Sequence, residues 1–367
     1  MIVLEFLNIV FIITYLFVIG WFGIGWLKSI KLTKPETLLS FSVLVPFRNE
    51  VKNIANLIQS FSQLNYNLSL VEFVFIDDHS TDNSSEILLQ ELRKTKLLYK
   101  IVRQKKGEEG KKRAIISGVH HSKNENIITT DADCTHSKYW LSEYNKAFFS
   151  KAQFIVAPVI NVGQSSFVGQ LQNIEALVLC GVTIGSAKNK FPFLCSGANM
   201  GYQKSLFLEH NPYASNLSIP SGDDLFFLDI VIQKNISVTI LDSPKATAYT
   251  NPPKNYNALI QQALRWSSKN GKLNASRNFW LSILVFLVNL LIIPNLFLFD
   301  SFSLFLVVKF LIDFTFFGLI AVLFNQKKLL FFTPFIFILY PIHLLIIFAQ
   351  SFFVKVKWKE RKLITDE

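Results

Sequence analysis

The chain has 367 residues, half of them hydrophobic, and a formal net charge of +11. That length accommodates one large domain of about 200 to 250 residues plus accessory segments. The basic residues gather beside apolar stretches, where anionic headgroups attract them, so membrane lipids are the expected partners and nucleic acid is excluded.

From Ile2 to Leu27 the sequence is almost wholly apolar, and about 20 such residues cross a bilayer. Lys28, Lys31 and Lys34 follow the run instead of preceding it, which reads as a retained anchor rather than a cleaved signal peptide. The positive-inside tendency then puts the N-terminus outside and the chain from Lys28 onward in the cytoplasm. Phe41 to Pro46 and Val71 to Ile76 are β-branched and aromatic runs ending at turn-forming residues, the mark of buried parallel strands. Val51 to Phe61 and Asn83 to Lys94 carry apolar residues at helical spacing, and another strand is predicted near Ile101. Asn126 to Thr130 and Phe154 to Pro158 add strands, so an α/β sheet with right-handed crossovers is expected.

Three more apolar segments follow: Leu281 to Phe299, Phe302 to Phe324, and Leu329 to Val354. Three full crossings would carry the basic tail Lys355, Lys357, Lys359, Arg361 and Lys362 outside, against the positive-inside tendency. The last segment contains Pro334, Pro341, His343 and Gln350, so a bent or re-entrant path is predicted for it. Lys309 and Asp313, four apart in an apolar stretch, are expected to pair. Cys134, Cys180 and Cys195 lack metal-ligand spacing and read as free buried thiols.

In a parallel sheet ligands bind beyond the carboxyl ends of the strands. After the first strand stands Pro46-Phe47-Arg48-Asn49-Glu50 instead of G-x-G-x-x-G, which argues against a dinucleotide-dependent oxidoreductase. Asp77 and Asp78 close the second strand; two adjacent carboxylates there call for a donor such as a nucleobase or a basic side chain, while Asp82 and Asn83 read as helix caps. Asp131-Ala132-Asp133 spaces two carboxylates to bracket a hard divalent cation, Mg²⁺ or Mn²⁺, whose shell a nucleoside diphosphate would complete.

In this order the segments resemble the family-2 glycosyltransferases, over roughly Phe41 to Gly271. The resemblance implies a GT-A (nucleotide-diphospho-sugar transferase) Rossmann-like α/β domain with flanking transmembrane helices, inverting hexosyl transfer from a UDP-sugar, and a lipid or polysaccharide acceptor. VLVPFRNE resembles the opening strand and brings Pro46, Arg48 and Glu50 to the nucleotide; FVFIDDHSTD resembles the uridine-binding strand end with Asp77 and Asp78. GKKRAI resembles the phosphate-side segment, although Lys111 there also reads as spare charge at a solvated helix start. TTDAD matches the D-x-D, with Asp131 and Asp133 on the metal and Asp131 also at the nucleotide. SGANMGY, with Gly197 and Asn199, resembles the acceptor side. Ser221-Gly222-Asp223-Asp224 matches the acidic motif, with Asp where the family usually has Glu; by position Asp224 is the general base and Asp223 its support. Gln262, Arg265 and Trp266 match Q-x-x-R-W, which implies diphosphate contact by Arg265 and acceptor contact by Trp266; an interfacial Trp-Arg anchor is the plainer reading.

The expected organisation is an anchor over 1–28, a cytoplasmic catalytic domain over 38–275, membrane segments over 280–354 and a basic cytoplasmic tail over 355–367, in a plasma (inner) membrane. Single transfer to a membrane lipid is favoured over a processive polysaccharide synthase, because four short segments offer little channel wall. An inactive nucleotide-binding scaffold would have lost the carboxylates that this sequence retains.

Overall fold

The computed structural model describes residues 2–163, 166–219, 221–267, 276–297, 304–353, 357–358 and 361–362. The strands are β1 Phe41–Phe47, β2 Val71–Asp77, β3 Leu98–Arg103, β4 Asn126–Thr129, β5 Thr135–His136, β6 Phe154–Val156, β7 Val159–Asn161, β8 Met200–Gln203, β9 Val238–Ile240, β10 Ala248–Thr250, β11 Lys357–Trp358 and β12 Arg361–Lys362. The helices are α1 Ile2–Leu27, α2 Ile54–Ser62, α3 Ser84–Arg93, α4 Lys111–His121, α5 Trp140–Phe149, α6 Phe167–Lys188, α7 Lys204–His210, α8 Asp223–Gln233, α9 Tyr256–Ser267, α10 Ser276–Leu290, α11 Ile292–Phe297, α12 Leu304–Leu323 and α13 Thr333–Ser351. They form two units: a sheet unit (30–162, 194–251 and the tail strands) and a helical unit (up to 29, 163–193 and 252–353).

The sheet unit is built on seven strands in the order β3-β2-β1-β4-β8-β6-β9, with β8 antiparallel to both neighbours. Every residue of β1 and β2 is buried, as near-continuous apolar strands covered on both faces should be. Phe61 packs on Phe73 at 4.5 Å and Trp140 lies 5.5 Å from Tyr144, which together fill the core under the sheet. The strands predicted from sequence are present within a residue or two. Helix α2 starts later than predicted because Asn53 and Ile54 donate their N–H groups to the Glu50 carbonyl in a turn.

The helical unit contains the residues expected to lie in the membrane. Among the described residues five helical stretches are long and apolar enough to cross one: Ile2–Leu27, Phe167–Lys188, Asn278–Phe297, Leu304–Leu323 and Lys327–Ser351. Helices α1 and α6 approach to backbone contact at Gly25 and Gly185. A Cβ on Gly25 would come 2.0 Å from the Gly185 carbonyl oxygen, and one on Gly185 would come 2.5 Å from that of Phe22. Gly185 is the α6 residue that faces α1 here, whereas a Cβ on Gly181 would come 2.0 Å from Ile320 Cδ1 on α12. The first C-terminal segment breaks at Leu291, between α10 and α11, where Pro294 has no N–H to donate to the Leu290 carbonyl. The bent or re-entrant path expected over 329–354 is not marked by a break: α13 runs unbroken through Pro341, and Pro334 sits in its first turn, where proline is tolerated. Lys309 pairs with Asp313 at 2.5 Å and donates to Asn289, and Tyr15 donates to the other Asp313 oxygen, so the buried charges satisfy one another. A second polar cluster joins Glu175, Tyr256 and His343 across α6, α9 and α13.

Candidate active site

The parallel register aligns Phe47 with Asp77 and Leu44 with Thr129, so the loops after β1, β2 and β4 gather at one edge of the sheet. The β1 and β2 ends are tied together. Arg48 donates from Nη1 to the carbonyls of Asp78 and His79 at 2.9 and 2.8 Å. Asp77 accepts from the Ser80 N–H at 2.8 Å and the Ser85 hydroxyl at 2.6 Å. Asp78 Oδ1 accepts from the Gly110 N–H at 2.9 Å. Glu50 accepts from the Asn53 side-chain amide at 2.6 Å, and Pro46 is buried within β1 opposite Ile76. Asp82, rather than Asn83, caps α3: its oxygens take the Ser84 N–H and hydroxyl. These hydrogen bonds order the loops at the carboxyl edge of the sheet.

The charged centre lies one strand over. Lys111, at the first position of α4, places its ammonium 2.7 Å from Asp131 Oδ1 and 3.2 Å from Asp223 Oδ2. Burial would lower the Lys111 pKa, but Asp131, Asp223 and Asp224 together hold it well above the ordinary lysine value. Gly222, at φ 88°, turns the chain in the left-handed region before α8, which fixes Asp223 and Asp224 in its first turn. There the helix dipole favours carboxylates, and Asp224 accepts from the Leu225 N–H at 2.8 Å and the Gly197 N–H at 3.4 Å. Gly197 is required by space: a Cβ there would lie 2.5 Å from Asp223 Oδ2.

Within the D-x-D, Asp131 turns to Lys111, while exposed Asp133 lines a separate polar cavity of about 210 Å³ with Asn53, Asn56, Tyr249 and Asn251. Among the described residues no group of three or more His, Cys, Asp or Glu could hold a metal. The two carboxylates nonetheless suit a hard cation that takes its other oxygens from a diphosphate and water, and the ammonium already beside Asp131 marks the spot as one that accepts positive charge.

The family model "Glycosyl transferase family 2" matches residues 42–210. Over this stretch the chain is similar to the family-2 glycosyltransferases. The solved "Mannosyltransferase PcManGT from Pyrobaculum calidifontis in complex with GDP-Man and Mn2+" superposes with a TM-score of 0.60 at 13% identity, over 96% of this chain and 97% of that one, a likeness of fold. S. aureus TarS 1-349 gives a TM-score of 0.44 at 17% identity over 88% and 98% of the two chains. A Macaca fascicularis protein, "Inactive polypeptide N-acetylgalactosaminyltransferase-like protein 5", is 28% identical over 130 residues, 35% of this chain. The chain spans 29% of that relative's length.

One sequence expectation changes within the matched stretch. Asn199 is fully buried and has no surface for an acceptor. Its oxygen accepts from Trp140 Nε1 at 2.8 Å and the Tyr144 hydroxyl at 3.0 Å, and its amide donates to the carbonyls of Pro158 and Ala246 at 2.6 and 2.8 Å. Lys112, next to Lys111, is buried, donates to Asn216 and lies 4.1 Å from the centre of the Phe226 ring. Asp223 and Asp224 lie beyond the matched stretch, as do Gln262, Arg265 and Trp266, which sit on α9 of the helical unit with Trp266 exposed.

Proposed function

We propose that the chain is an integral inner-membrane enzyme that transfers a hexose from a UDP-sugar, with inversion, to a hydroxyl of a membrane lipid at the cytoplasmic face. The observation that carries this reading is the grouping of Lys111, Asp131, Gly197, Asp223 and Asp224 at the ligand-binding edge of the sheet. In one displacement the acceptor oxygen bonds to the anomeric carbon, its proton passes to Asp224, and the bond to the diphosphate breaks with its electron pair. A single base suffices, and such a base contributes about 10²- to 10⁴-fold. Asp223, held by Lys111, supports it. Asp131 and Asp133 would hold Mg²⁺ or Mn²⁺, which supplies Lewis-acid stabilisation of the leaving diphosphate. Pro46, Arg48, Glu50, Asp77 and Asp78 form the nucleoside rim; the Q-x-x-R-W resemblance implies diphosphate contact for Arg265 and acceptor contact for Trp266, roles that a guanidinium and an indole suit.

The lipid acceptor is favoured over a growing polymer by the helical unit. Residues 30–162 and 194–251 share one sheet, in which β4 pairs with β8. Among the described residues five helices are long and apolar enough to cross a membrane, few for the wall of a polymer channel.

Detergent-purified protein incubated with a panel of UDP-sugars, GDP-mannose and native lipid extract, followed by mass spectrometry, tests the reading. GDP-mannose and Mn²⁺ join the panel because the solved mannosyltransferase carries both. One added hexose on a lipid, lost in excess EDTA, is expected. A ladder of increments would favour the polysaccharide synthase, and full turnover in EDTA would remove the metal.

A further inference from the structure

Lys111 occupies a position that is costly for a cation. It opens α4, where the positive end of the helix dipole disfavours an ammonium, and its side chain is only 18% exposed, so little water solvates it. Asp131 at 2.7 Å and Asp223 at 3.2 Å offset both costs. These two carboxylates come from different elements, the turn after β4 and the first turn of α8, and the ammonium ties them together. The room for it comes from Gly197, whose missing Cβ would otherwise stand 3.2 Å from the ammonium.

We infer that Lys111 is an internal counter-cation that competes with the divalent metal for Asp131 until a nucleoside diphosphate binds. This rests on the proposed function. A divalent ion at Asp131 and the ammonium 2.7 Å from the same carboxylate repel each other, so each weakens the other's hold while no further anion is present. The diphosphate brings the missing negative charge. A bound diphosphate would offer oxygens to both the metal and the Lys111 ammonium, so the antagonists would become partners. Lys111 is thus a positioning residue. It keeps Asp131 and Asp223 in place before the donor arrives and couples metal retention to the presence of the nucleotide.

Mn²⁺ binding to the detergent-purified full chain, followed by electron paramagnetic resonance with and without UDP, tests this in wild type, Lys111→Gln and Lys111→Arg. Lys111→Gln should bind Mn²⁺ alone more tightly, by roughly the 5- to 150-fold typical of coupled sites. Lys111→Arg, which keeps the charge, should stay close to wild type. With UDP present the advantage of Lys111→Gln should shrink or reverse. Lys111→Ala repeats the measurement should the glutamine variant lose its melting transition. Unchanged or weaker Mn²⁺ binding without UDP in the neutral variants overturns the inference while leaving the enzyme reading intact. A wild type that binds neither Mn²⁺ nor UDP overturns both.

Discussion

Asp131 and Asp133 are two residues apart, yet one meets an ammonium and the other a polar cavity, so their removal should have different consequences from removal of the base. Asp133→Ala is expected to weaken metal-dependent nucleotide binding. Asp224→Asn should leave that binding nearly intact while transfer falls by roughly 10²- to 10⁴-fold. Isothermal titration beside product assays separates the two, and equal loss of binding in both variants would refute the division of labour. His136 gives a pH test. It lies between Phe61 and Trp140 with Nε2 2.8 Å from the Thr130 hydroxyl, and burial pushes its pKa from 6.5 down to about 3. The unfolded chain therefore takes up the proton first. The stability that neutral His136 provides is complete above about pH 6.5 and drains away as pH falls toward about 3, by up to about 1.4 kcal/mol per unit. His136→Phe should flatten that part of the melting-temperature profile; an unaltered slope would assign it to other groups. At this scale the sequence was partly legible. The carboxylates stood out because charge at a strand end requires a partner. The partners themselves did not: Lys111 and Lys112 are adjacent, and only the helical turn of about 100° per residue makes one bridge two acids and the other bury itself against Phe226.

Among elements, β1 and β2 were readable almost to the residue because fully buried parallel strands are continuous apolar runs. Helix α6 was not. Gln170, Gln172, Asn173 and Glu175 dilute its first two turns, and the sequence reading left it inside the stretch 38–275, whereas its contacts are with the helical unit. Asn199 misled for a related reason: a polar residue between small ones reads as an open site, but all four of its hydrogen bonds are spent inside the unit. The α1–α6 crossing offers a test at this level. Gly185→Val places a branched side chain against the Phe22 backbone, and overpacking of this kind costs about 1–3 kcal/mol. Disulfide crosslinking between cysteines introduced near the ends of α1 and α6 should fall in the variant, and unchanged crosslinking would mean that the helices approach elsewhere.

For the whole molecule, the proposed topology holds the sheet unit and the basic tail on the cytoplasmic side. Of the expected tail over 355–367, only residues 357–358 and 361–362 are described, and these group with the sheet unit. Lysines near anionic lipid add roughly 1 kcal/mol each. With Cys134, Cys180 and Cys195 replaced, a single cysteine beside Lys362 should resist impermeant maleimide in intact cells and react after permeabilisation. Labelling in intact cells would instead require three full crossings after residue 275. The interleaving of the two units also bears on how the protein is made. The ribosome delivers α1, then 133 residues of the sheet unit (30–162), then α6, then the rest of the sheet unit, and only afterwards α9 to α13. Gly185 of α6 therefore meets α1 while the helices that complete their unit are still unmade, and the sheet cannot close until β8 has followed α6. No single proteolytic or genetic cut releases one unit whole. A truncation that removes α1 to gain solubility would strip α6 of its partner within the sequence of the sheet unit itself, and would exchange a membrane protein for an aggregating one.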